Sequence, residues 1–235
     1  MLRLIASTLL CLALTGCATV NQMAFDKKST SIDTREKSVV LMTVDVSRSD
    51  GSRFVPEPFV VKLARPNAQS KEERQNFKLD KDVDAVQENG HSIYLVRASL
   101  APGEYKLQEV MGLAKGFPIM GTFIVPLNTD LKVKPGSIVY IGRIKATLRD
   151  RVGNEFRAGP LLPLLDQSVA GMSGGTWDVT YENLADKDIG LFRAAYPVLG
   201  NVNVETAPLP AFDRAAAQRQ WEGEEKDVPK EVAAK

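Results

Sequence analysis

From Ser38 onward the chain consists of short β-branched and aromatic runs broken by turn residues, a pattern that confines it to a mainly β architecture. Val40, Met42, Val44 and Val46 alternate through Val39 to Val46, the period of two expected of a strand with one buried face. Phe59 to Leu63, Ser92 to Arg97, Tyr105 to Val110, Thr122 to Pro126 and Ile138 to Ile144 repeat the signal, and Lys145 to Arg149 can extend the last. Thr176 to Tyr181 reads as a further strand. Between the second and third runs, Asn67 to Asp82 is charged and predicts a helical turn or an exposed loop.

Pro102-Gly103 and Pro135-Gly136 each precede one of these runs. Proline presets φ at the first central turn position and glycine accepts a positive φ at the second, so both predict type II turns feeding strands. Only one segment reads clearly as helix. In Asp186 to Tyr196, Ile189, Phe192 and Tyr196 fall three and four apart, with Asp186 placed to cap the start and Pro197 to end it. Phe212 to Trp221 has helix propensity but a weak apolar stripe. The expectation is an antiparallel β-sandwich with one or two C-terminal helices.

The run LVRASLAPGEYKLQEV followed by VKPGSIVYIGRI resembles a prealbumin-like, or carboxypeptidase-regulatory-like, β-sandwich module spanning residues 38 to 150. AGPLLPLLDQSVAGMSGGTWDV and DIGLFRAAYPVL are similar to parts of uncharacterised bacterial lipoproteins. Neither resemblance carries a reaction or a catalytic set.

At the amino terminus, Arg3 precedes an apolar run from Leu4 to Leu14 that ends in Leu14-Thr15-Gly16-Cys17. A basic start, a short hydrophobic core and small residues before a cut are the marks of an export signal, and the run is too short for a mature membrane span. It resembles a bacterial lipoprotein signal peptide. That resemblance implies removal of residues 1–16, a diacylated Cys17 with an acylated amino group, and, because Ala18 follows in place of aspartate, passage to the outer membrane. Several acyl chains on one cysteine give lasting attachment to the bilayer.

The rest follows from this reading. Cys11 leaves with the signal and Cys17 carries lipid, so the mature domain has no thiol for redox chemistry, nucleophilic attack or metal ligation. Loss of Arg3 leaves 29 of the 30 basic residues against 29 acidic ones, a balance that points away from nucleic acid. Residues 17–37 are expected as the lipidated N-terminus and a tether, with a reach of about 25 Å if flexible. Residues 38–206 form the sandwich with its late helix, and 207–235 a helical or disordered tail.

Candidate chemistry is sparse. Gly171-Met172-Ser173-Gly174-Gly175 matches the nucleophile-elbow pattern, but a strand is expected after it where the elbow needs a helix, and His91, the sole histidine, lies upstream. Asp80, Asp82 and Asp84 alternate like the opening of a calcium loop, yet Ala85 and His91 occupy that loop's glycine and glutamate positions. Tyr94, Tyr105, Tyr140, Trp177 and Tyr181 could line a sugar platform or fill the core. Phe117 to Met120 and Leu161 to Leu165 are apolar segments suited to core or to a partner.

No catalytic, metal or cofactor-binding residue is assigned, and no cofactor is expected; Cys17 is the one expected site. The first expectation is a non-catalytic accessory lipoprotein of the outer membrane, facing the periplasm and binding another envelope protein. A module binding peptidoglycan or exported polysaccharide comes second. An envelope hydrolase, which needs two carboxylates about 5–9 Å apart in a cleft, comes third.

Overall fold

The computed structural model describes residues 20–49, 51–116, 119–160 and 172–226. In chain order it contains β1 (Val20–Asn21), β2 (Ser38–Arg48), β3 (Val55–Ala64), β4 (Arg74–Lys78), α1 (Lys81–Asp84), β5 (Ala85–Glu88), β6 (His91–Leu100), β7 (Gly103–Gly116) and β8 (Ile119–Val133). β9 (Ile138–Asp150), β10 (Gly175–Glu182), α2 (Ala185–Ala195), a 3-10 turn at Pro197–Leu199, β11 (Glu205–Thr206) and α3 (Arg214–Lys226) complete it. The protein is a β-sandwich with C-terminal helices. One sheet runs β1-β4-β3-β7-β8 and the other β10-β9-β2-β6-β5, with β11 beside β9.

Most neighbouring strands are antiparallel, and three parallel pairings make both sheets mixed: β1 with β4, β2 with β9, and β11 with β9. Consecutive strands supply antiparallel pairs, among them β3 with β4, β5 with β6 and β7 with β8. Asn89 and Gly90, at φ 49° and 82°, join β5 to β6, the two-residue turn whose twist matches flanking strands. Gly103 and Gly136 of the Pro-Gly turns both hold positive φ. The expected strands are present and generally longer than their sequence signals. β4 lies inside the charged stretch expected as loop or helical turn; only Phe77 of its five residues is buried, so as a polar strand it carried no alternation to read.

Between the sheets the inward residues of β2, Val40, Met42, Val44 and Val46, meet Val61, Leu63, Leu107, Val110, Phe123 and Val125 from the facing sheet. Trp177 lies against Phe123 at 5.2 Å between ring centroids, bringing β10 opposite β8.

Each open edge of the sandwich is stitched by backbone hydrogen bonds to both sheets. At the β8/β10 edge, Ala158 accepts from Ile124 of β8 and donates to Gly175 of β10, each at 2.8 Å. A side chain at neighbouring Gly159 would collide with the Thr122 carbonyl, so the close approach requires glycine there. At the other edge, β1 pairs with β4, and then Ala24 donates to the carbonyl of Arg97 on β6 at 2.8 Å. Phe25 is buried and Ile32 packs beside it. Within the segment expected as a tether, Val20 to Phe25 is therefore docked on the domain, and its buried aromatic is too isolated to register as a period.

A third layer covers the outer face of the β2/β6/β9 sheet, where α2, the 3-10 turn and residues around Phe25 lie on Val39, Leu41, Leu95, Ile138 and Tyr140. α2 begins at Ala185, so Leu184 and not Asp186 holds the cap position, and Asp186 falls in the first turn. The C-terminal α3 is docked: Ala217 is fully buried, Gln218 accepts from the Phe156 amide at 2.7 Å, and Arg151 lies over the Trp221 ring.

Candidate functional site

The outer face of the β2/β6/β9 sheet should read as apolar under α2, yet charged side chains are buried there. Outward positions on β2 run Val39, Leu41, Thr43 and Asp45, and on β6 Ile93, Leu95 and Arg97. β9 changes phase midway. Leu41 pairs with Tyr140 but Thr43 pairs with Arg143, so β9 carries one extra residue in a bulge at Gly142, whose φ is 123°. The bulge turns Tyr140 and Arg143, three positions apart, to the same face.

Asp188 descends onto this face from α2, in phase with Ala185, Ile189 and Phe192, and is fully buried. Its carboxylate accepts from Thr43 Oγ1 at 2.5 Å, from the Tyr140 hydroxyl at 2.6 Å and from Arg143 Nε at 3.2 Å, and Arg143 Nη2 bonds its other oxygen. Arg143 reaches Glu88 at 2.6 Å through Nη1, and Lys187 joins Glu88 at 2.9 Å. Desolvation alone would lower the Arg143 guanidinium, but the carboxylates of Asp188 and Glu88 outweigh it and raise it. The same bond from Arg143, aided by Lys187, holds Glu88 below the usual carboxylate range. Burial, then the hydrogen bond to Asp188 and its charge, drive the Tyr140 phenol upward.

A second buried guanidinium, Arg97, lies nearer the N-terminal segment. It donates to the carbonyls of Phe25 at 2.9 Å and Leu95 at 2.5 Å, to the Tyr196 hydroxyl at 2.5 Å, and to Asp84 at 2.7 Å. Its plane lies 4.1 Å from the Tyr196 ring centroid, and burial pushes that phenol up to about 12. Asp84 also accepts from the Asp80 amide, closing the turn of α1. At the strand ends His91 Nδ1 stands 3.3 Å from Asp45, which the fold brings from 46 positions away.

What this arrangement can do chemically follows from how its lone pairs are used. A carboxylate has about four acceptor sites, and Asp188 receives four hydrogen bonds, three on Oδ2 and one on Oδ1. The three buried carboxylates among the described residues, Asp45, Asp84 and Asp188, all have partners. Asp84 and Asp188 thereby tie α1 and α2 to the sheet.

The residues weighed from sequence are dispersed or consumed. Asp80 caps α1, Asp84 pairs with Arg97, and among the described residues no three acidic or histidine side chains gather for a metal. Ser173 is followed by strand β10, not by a helix, and His91 stands beside Asp45. Tyr94, Tyr105, Tyr140 and Trp177 are buried and Tyr181 is partly so, its hydroxyl bonded to Thr129, so these five form no platform. Cys17, Gly171, Phe117-Pro118 and Leu161 to Leu165 lie outside the described residues. Sequence reasoning missed Asp188, Arg143 and Arg97; the signal for Asp188 was a carboxylate in phase with the apolar stripe. No family model, curated protein or solved structure matches the chain.

Proposed function

We propose that the protein is an outer-membrane lipoprotein, anchored through acylated Cys17 and facing the periplasm, whose sandwich serves as a non-catalytic, protein-binding accessory subunit of the cell envelope. The observation that carries the reading is the engagement of Asp84 and Asp188 by fixed partners, which makes the polar layer a clamp.

A binding face is available on the other sheet. Across its outer side Val60, Met111 and Ile124 stand in register, and Val55, Lys115 and Met120 form a parallel row. Met120, Val55 and Phe59 are exposed, and Glu57–Lys115 and Lys62–Glu109 ion pairs border them. Apolar residues with a polar rim suit a protein partner.

A photo-crosslinking residue placed at Met120 in cells tests this, with Val152 as the control. A discrete protein adduct from position 120 alone is expected. Glycan in place of protein would transfer the reading to a polysaccharide-binding module. Turnover of an envelope polymer by the purified protein would replace it with a hydrolase.

A further inference from the structure

We infer that the β1/β4/α1 edge of the sandwich faces the bilayer at short range, so that the anchor fixes which side of the domain is presented to the periplasm. The inference rests on the proposed acylation of Cys17. Three residue steps separate Cys17 from Val20, the first residue of β1. Fully extended, they span at most about 11 Å whatever their conformation.

Val20 is not the start of a flexible tether. Val20 and Asn21 pair with Asn76 and Phe77 of β4, and the Asn21 side chain closes two further bonds, to Gln75 at 2.7 Å and from the Asn76 amide at 2.9 Å. Ala24 and Phe25 then tie the segment to Arg97 on the other sheet. The leash is therefore short and its domain end is held on both sheets.

β1 and β8 are the opposite edges of a five-stranded sheet, about 19 Å apart at the usual strand spacing. The β8/β10 edge, with the loop after β9 and α3, is consequently turned away from the membrane. The near edge carries Val20 and Val83, both exposed, and mixed charge from Arg74, Lys78, Lys81, Asp80 and Asp82. With both signs present, the covalent leash holds it and electrostatic attraction to lipid does not. Orientation should therefore be insensitive to salt.

The test uses the full lipidated protein in vesicles containing headgroup-nitroxide lipid. With no cysteine after Cys17 in the sequence, single thiols can be placed cleanly for a fluorophore, Lys78→Cys on the near edge and Val152→Cys on the far edge. Loss of fluorescence at position 78, none at 152, and no change with added salt are expected. Inserting twenty Gly-Ser residues before Val20 should abolish the loss at 78 while the protein still floats with vesicles. Equal quenching at both positions, or quenching at 78 that survives the insertion, overturns the orientation alone. Failure of the unaltered protein to float overturns the anchor reading and the orientation together.

Discussion

Arg143 on β9 grips both carboxylate oxygens of Asp188 on α2, joining sheet and helix across 45 positions of sequence inside a layer closed to water. Removing one member of such a pair strands a buried charge, at a cost of about 3–5 kcal/mol. Asp188→Ala should lower the unfolding free energy by that amount in urea titration. The double variant Asp188→Leu, Arg143→Met should recover most of it. A loss under about 1 kcal/mol for the single variant, the range of exposed pairs, would show that α2 does not depend on the clamp.

The clamp depends on the bulge that turns Arg143 inward. Gly142 holds φ at 123°, and a Cβ there would stand 3.2 Å from the Glu182 carbonyl. Gly142→Ala should cost about 1–3 kcal/mol, the range for residues forced into sparsely populated backbone regions. Near-neutral stability would mean that the strand can shed its extra residue without loss.

Phe25 tests whether the N-terminal segment belongs to the fold. Its ring meets Tyr196 edge-on at 5.6 Å and its carbonyl accepts from Arg97. Phe25→Ala should destabilise the domain by about 3–5 kcal/mol, as for other buried aromatic truncations. A tether would show no change in the same denaturation experiment.

Acid should loosen the far edge through Glu155. Arg149 grips both its oxygens at 2.7 Å, and Arg214 of α3 adds a contact at 2.8 Å. The bond from Arg149 lowers the carboxyl from 4.5 to about 2. The folded chain therefore binds this proton less readily than the unfolded chain. Its stabilisation is complete above pH 4.5 and fades as the pH falls toward about 2. Glu155→Gln should flatten stability against pH within that window and nowhere above it. Identical acid limbs for the two proteins would remove Glu155 from the account.

Local pattern by itself determined the long core strands and the late helix. Alternation along β2 and the three-and-four spacing of Ile189, Phe192 and Tyr196 are written within a few neighbouring residues, and burial on one face follows from them. Tertiary structure decided what a short window cannot hold. The parallel pairing of β2 with β9 brings together strands about a hundred positions apart. β4 and the docked Phe25 segment lack a repeating apolar signal and are placed by partners elsewhere in the chain. Arg97 and Arg143 read as ordinary strand residues until the fold supplies Asp84, Glu88 and Asp188. A buried charge is tolerable only beside its counter-charge, and only the assembled sheets and helix bring the two together.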